Sequence, residues 1–315
     1  MSIILALLAT LLHIGLCLAG APLLYGAAAK LRAWMCGQRG PSLLQPYRHL
    51  AKLLGKTALM PDTATALFTI WPLVAFMAMA VVTMLIPGFC TGMLTASASD
   101  YVTIMGLFVF GRAAMLLGGF ETGSAFGGAG GARMALLGLG AEATLLVLLL
   151  IFSFFTQSTN LDQMAVKLAA GHAGLSVAMG FALAAMLVVA VIMAGCGPAG
   201  QSELAMRQEA MALEYAGRQL ALFDYAGMLR HLAWMNLLIC LFLPYGMARA
   251  VGLWSWPGGL LLWLLKLLCL TTGFALFQSL RAETRLFWMS EILGVALFIG
   301  LLASILLLIS VSTGT

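Results

Sequence analysis

Charged residues are scarce in this chain. Asp, Glu, Lys and Arg make up 9% of its 315 residues, while AVILMFWYC reach 63%, and the mean hydropathy is +1.05. A soluble domain is about 25% charged and roughly 45–50% apolar. There is too little polar surface to cover a water-facing fold, so a soluble globular enzyme is excluded. A disordered chain, a collagen and a coiled coil fall to the same numbers. Grouped cysteine is lacking too. Cys17, Cys36, Cys90, Cys196, Cys240 and Cys269 are scattered, with no CxxC pair. Metal and iron–sulfur sites need clustered thiolates, so this chain is expected to hold no metal and no cofactor of its own. The glycine-rich stretch at 120–133, FETGSAFGGAGGAR, is not followed by Gly-Lys-Ser/Thr, which removes a P-loop. A signal peptide needs a positive stretch before its apolar core. Here MSIILALLATLLHIGLCLAG starts apolar and the first positive charge is Lys30, so a retained first span is expected.

What is present is a series of long apolar runs. A span needs about 20 such residues, and eight are expected, at 2–25, 64–88, 101–119, 134–156, 174–197, 232–251, 257–279 and 289–311. The predicted fold class is all-α: one integral membrane domain over 1–315 with about eight transmembrane helices. Between the first two runs lies SLLQPYRHLAKLLGK at 42–56. It is too short and too charged to cross, and its leucines recur at helical spacing, which predicts an amphipathic helix lying in the interface.

The 16 Lys and Arg against 11 Asp and Glu read as orientation charge rather than a nucleic-acid surface. Loops after the odd-numbered runs hold Lys30, Arg32, Arg39, Arg48, Lys52, Lys56, Arg133, Arg207, Arg218, Arg230, Arg281 and Arg285, and the other side holds Lys167 and Arg249. Twelve against two puts the odd-numbered loops in the cytoplasm and both termini outside. No internal repeat is visible, which disfavours a stand-alone transporter built from repeated halves.

Ionisable groups at membrane depth are costly and are functional candidates by default. Arg112 lies in GLFVFGRAAMLLGGF, Glu142 in GLGAEATLL, Lys266 in LLWLLKLLCL and His13 in the first run. The competing reading for each is a structural ion pair, a snorkelling side chain or, for His13, an imidazole bonded to a nearby carbonyl. The glycine-rich stretch reads as a flexible loop suited to close packing against another subunit. Glu203 and Arg207, in the third large loop, stand i,i+4 apart, a pair that a solvated helix would use anyway.

At this point the ordered motifs resemble a known family. RGPSLLQPYRHLAKLL at 39–54 resembles the signature that follows the first span in the membrane subunit anchoring the quinone site of respiratory complex I. The same family serves the membrane-bound nickel–iron (NiFe) hydrogenases of the formate hydrogenlyase type. Arg39, Gly40, Pro41, Gln45, Lys52 and Leu53 match; Tyr47 and Arg48 look like the hydrogenase branch and Pro46 like complex I. ETGSAFGGAGGAR resembles the hydrogenase-branch DTGSPF pattern through Glu121, Thr122, Gly123, Ser124, Phe126, Gly130 and Arg133. Glu214, Tyr215 and Gly217 resemble its EYSG, and Arg112, Glu142, Lys266 and Arg285 fall on charged positions of the family. The chain departs from the pattern after its fifth span. Met193 and Cys196 stand where charges are expected, the aspartate after Pro198 is absent, the acidic run is thinned to Glu203 and Glu209, and Met134 follows Arg133 in place of Glu.

The resemblance implies a non-catalytic subunit of an oxidoreductase complex in a bacterial or archaeal cytoplasmic membrane. Its implied partners are hydrogenase large and small subunits, a ferredoxin-like iron–sulfur subunit and antiporter-like membrane subunits, with the Fe–S clusters and the nickel–iron centre on those partners. Arg112, Glu142 and Lys266 would form an intramembrane polar track. Arg39, Gln45, Arg48, Lys52, Glu121, Arg133, Glu203, Glu209, Glu214, Tyr215 and Arg285 would line its cytoplasmic docking face and entrance. The alternatives are a purely structural anchor that moves no ion, favoured by the missing acidic residues, and the quinone-site subunit of an NADH dehydrogenase-like complex.

Overall fold

Lipid offers no partner to a backbone N–H or C=O, so a chain this apolar must satisfy its backbone within helices. The computed structural model describes residues 2–61, 63–171, 177–193, 211–280 and 286–313, and does so as a helical bundle. Its helices are α1 (Ser2–Met35), α2 (Gln45–Leu54), α3 (Leu67–Leu85), α4 (Tyr101–Glu121), α5 (Ala125–Thr156), α6 (Leu161–Ala169), α7 (Val177–Met193), α8 (Gly217–Phe242), α9 (Trp256–Leu280) and α10 (Leu286–Thr313). Seven of them are long and apolar enough to cross a membrane, and α7 is a shorter apolar helix at the position of the fifth expected span. The protein is an all-α, multi-pass membrane protein. The helix after the first span is present as well: α2 buries Pro46, Leu50 and Leu53 and turns its charges outward.

Three boundaries differ from the sequence expectation. The first helix continues to Met35, because Lys30 and Arg32 sit in its last turns, where cations suit the helix dipole. The glycine-rich stretch is helical from Ala125, capped by Ser124, whose hydroxyl accepts the Gly127 N–H at 2.9 Å. The sixth span is Gly217–Phe242 and not 232–251. Hydropathy placed its start at 232, after Arg230, but the helix begins 15 residues earlier. It can carry Arg218, Asp224 and Arg230 because it is the central helix: 83% of its most apolar stretch lies inside the molecule, against 22% for α1. It packs on α1, α2, α3, α6, α7 and α9, so protein rather than lipid surrounds it.

Pro22 shapes α1. A proline inside a helix has no N–H for the carbonyl four residues back, and the Leu18 carbonyl is bonded instead by the Tyr225 hydroxyl of α8 at 2.8 Å. The neighbouring Ala19 carbonyl accepts from Tyr47 of α2. Carbonyls one turn before Pro22 thus join three helices.

The two ends of the bundle differ. One end carries α2 and the α4–α5 turn. The other is closed by a two-residue parallel pairing of β1 (Cys90–Thr91) with β2 (Ala248–Arg249). There Asn160 caps α6 and the Asp162 carboxylate accepts the Gly92 N–H at 3.0 Å. Exposed Trp34 at the first end, and Tyr245 and Trp254 at the second, sit where interfacial aromatic belts are found. Outward faces of α9 and α10 are apolar, with Leu261, Leu265, Phe298 and Ile305 exposed.

Candidate functional site

The site is built from one arginine, one glycine and one glutamate. Gly138 and Glu142 are a helical turn apart on α5 and so share a face. Arg112 comes from the middle of α4. Its guanidinium lies in the space above Gly138: a Cβ there would overlap the guanidinium carbon and nitrogens. From that slot it pairs with the Glu142 carboxylate. The side chains are 10% and 21% exposed. The approach of α4 to α5 depends on the same device nearer the turn, where Gly127 faces the Gly119 carbonyl and Gly131 faces the Phe120 ring. Of the glycines read as loop and as a surface for another subunit, Gly127 and Gly131 are taken up inside this chain, while Gly123 and Gly128 face open space.

The pair borders a small cavity lined also by Met105, Phe108, Ala141, Leu145, Met193, Arg230 and Trp234. Arg230 was counted among loop charges in the sequence. It sits instead inside α8, 4% exposed, and contacts Met115 Sδ at 3.8 Å. Arg230 and Trp234 are a turn apart, and Trp234 packs on Phe108 with ring centroids 5.1 Å apart. The signal that would have found Arg230 is the EYAG preceding it. Gly217, at φ +59°, starts the helix and puts Arg230 near its middle. Among the described residues no group of His, Cys, Asp and Glu could hold a metal ion.

Lys266 is directed elsewhere. Its ammonium donates to the Leu243 carbonyl at 2.6 Å and to the Tyr245 carbonyl, at the C-terminus of α8, and it does not line the cavity. Helix ends leave carbonyls without partners and favour a cation there. His13 does the equivalent for α3: its Nε2 bonds the Thr83 carbonyl at 3.3 Å and the Ile86 carbonyl at 3.1 Å.

At the α2 end the acidic candidates gather around Tyr215. Glu214 accepts from the Ser124 hydroxyl. Glu121 accepts from Thr65 through both its hydroxyl and its N–H, the latter at 3.3 Å. Tyr215 is buried in a stack, 4.2 Å from Phe68 and 5.7 Å from Phe223 between ring centroids. Burial, then the Glu121 and Glu214 carboxylates, push its phenol well above the usual tyrosine range. It stays neutral and serves as packing. Arg39, Gln45, Arg48, Lys52 and Arg133 are exposed. Their side chains are available to a neighbour at this end and are not brought to the Arg112–Glu142 pair. Glu203, Glu209 and Arg285 lie outside the described residues, as does Cys196.

A bundle of long apolar helices with a buried ion pair at mid-depth defines a polytopic α-helical membrane protein carrying charge inside its span. The comparisons with known proteins make that more specific. The family described as NADH dehydrogenase matches residues 7–310, and the chain belongs to this family. It is 30% identical over 266 residues to Hydrogenase-4 component C of Escherichia coli (strain K12), covering 84% of each chain. It is 30% identical over 271 residues to Formate hydrogenlyase subunit 4 of the same organism, covering 84% of this chain and 87% of that one. In fold it resembles a chain from the structure of the membrane-bound sulfane sulfur reductase, an archaeal respiratory membrane complex. That likeness has a TM-score of 0.80 at 15% identity, over 95% of this chain and 98% of the other.

Proposed function

We propose that this chain is the membrane subunit of an energy-converting nickel–iron hydrogenase complex, anchoring the electron-transfer and hydrogenase arm and coupling hydrogen evolution to ion movement. Two relatives that carry hydrogenase and formate hydrogenlyase names over most of their length support the setting. The observation that carries the coupling is the Arg112–Glu142 pair bordering a cavity at mid-membrane depth. A buried carboxylate beside a guanidinium is a group whose proton affinity responds strongly to small changes in its surroundings. Charge moved across the membrane is worth about 2.3 kcal/mol per 100 mV, so rearrangement at the dock needs such a group to act on. The iron–sulfur clusters and the nickel–iron centre belong to partner subunits in this proposal, and this chain performs no redox chemistry.

The basic α2 end faces the cytoplasm of a bacterial or archaeal cell and both termini lie outside. Arg39, Arg48, Lys52 and Arg133 are among its exposed basic residues and dock the arm. Cys36 tests this orientation, since it is exposed just beyond α1, while Cys17, Cys90 and Cys240 are buried and the other exposed described cysteine, Cys269, lies within α9. With Cys196→Ser/Cys269→Ser as background, a membrane-impermeant maleimide is expected to label Cys36 in inverted vesicles and not in intact cells. Labelling from outside the cell reverses the topology.

The coupling is tested in the assembled complex in sealed vesicles. Glu142→Gln is expected to abolish hydrogen-linked ion movement while hydrogen evolution with an artificial reductant continues. Undiminished ion movement would leave the second reading, a purely structural anchor. One observation favours that reading: Met193, where the family resemblance leads one to expect a charge, lines the cavity beside Glu142.

A further inference from the structure

The cavity beside the ion pair offers about 20 Å³ of room for water. One water molecule requires roughly 10–15 Å³ on this measure, with two to four polar partners. The partners are present. The residues that carry them, Glu142, Arg112, Arg230 and Trp234, are among those that line the space. Trp234 is 2% exposed, and its indole N–H has no hydrogen-bond partner among the described residues. Leaving such a donor unsatisfied costs about 1–3 kcal/mol, and buried polar groups in native proteins are seldom left so. Apolar side chains (Met105, Phe108, Leu145 and Met193) supply the rest of the lining and cannot accept a strong hydrogen bond.

We propose that this cavity is a one-water site, in which the Trp234 N–H and the Arg230 guanidinium orient a single water molecule against the Glu142 carboxylate. The inference rests on the coupling role proposed for Glu142 and adds how a proton reaches it. A proton arriving as hydronium passes to a carboxylate oxygen, leaving neutral water and a carboxylic acid; the reverse step returns it. Arg230 is a positioning residue, since it acts on Glu142 through the water. The charged groups facing Glu142 among the described residues are Arg112 from α4 and Arg230 from α8. Helix α7 has no titratable residue, and Glu291 of α10 is exposed and outside the lining.

The test is vibrational and uses the purified complex. Ultraviolet resonance Raman difference spectra between wild type and Trp234→Phe isolate the Trp234 bands, and infrared spectra in H2-18O isolate ordered water. A hydrogen-bonded indole is expected, with an O–H stretch that shifts in H2-18O and disappears in Trp234→Phe. Arg230→Gln is expected to move both signatures and Arg230→Lys to restore them. An indole with a free N–H in wild type, or no 18O-sensitive band, overturns the site; the 18O shift is read on wild type alone, and Trp234→Tyr provides the difference spectrum if Trp234→Phe does not assemble. Bands unmoved by Arg230→Gln overturn the positioning role. Failure of Glu142→Gln to affect ion movement would remove the coupling and leave these spectra to decide the water site alone.

Discussion

Arg112 and Glu142 depend on one another and on a hydrogen atom where a methyl group would be. Taking one partner from a buried pair leaves an uncompensated charge, at a cost of about 3–5 kcal/mol. Arg112→Leu is therefore expected to lower the melting temperature of the purified complex more than the Arg112→Leu/Glu142→Leu double variant does. Equal losses in the two would show that the pair is not desolvated as described. Gly138→Ala introduces a Cβ into the space held by the guanidinium. Overpacking of this kind costs about 1–3 kcal/mol, and the same change at open Gly128 serves as the control. Arg112 and Glu142 were legible as single costly charges in apolar runs. Their pairing was not, because it depends on how α4 and α5 cross, and that is set by which glycine faces which carbonyl. Arg230 was missed because a hydropathy window stops at the first charge. Such a window cannot tell a residue at the membrane edge from one sheltered by protein.

The same limit appears among the helices. Those facing lipid announced themselves, since lipid selects apolar side chains along their whole outward face. The central α8 is the least apolar of the long helices and its N-terminal half was read as loop, although it touches most of the bundle. Helix α2 was legible because an amphipathic interface leaves a strong periodic pattern. How α2 is held was not, as its Tyr47 hydroxyl reaches an α1 carbonyl one turn before Pro22. Tyr225→Phe removes the donor from a carbonyl that Pro22 leaves without a helical partner, and is expected to cost about 1 kcal/mol. The His49–Asp224 contact, 3.2 Å long and half-exposed on the histidine side, belongs with surface pairs worth about 0–1 kcal/mol. His49→Ala should leave thermal stability nearly unchanged. A larger loss for His49→Ala than for Tyr225→Phe would mean that the α2–α8 charge contact outweighs the α1–α8 hydrogen bond beside Pro22.

Across the whole molecule the two ends are stabilised differently. The α2 end relies on stacked rings and on carboxylates that accept from nearby hydroxyls, with its basic side chains turned outward. The far end is drawn together by backbone pairing between 90–91 and 248–249 and by one buried carboxylate. Burial raises the Asp162 pKa above the usual aspartate value, and the Gly92 N–H offsets this in part. The native state thus holds the Asp162 proton more tightly than the unfolded chain. Native protein binds more protons than unfolded between the ordinary aspartate range and the raised value, so this group's contribution to stability falls as pH rises through that window. Asp162→Asn keeps the side-chain oxygen that can accept from Gly92 and removes the charge. The wild-type melting temperature relative to Asp162→Asn is accordingly expected to decline from pH 4 upward and to level off once the carboxyl is ionised. A difference that grows in favour of wild type with rising pH would show the opposite: the Gly92 N–H would outweigh burial, and the carboxylate form would be what holds this end closed.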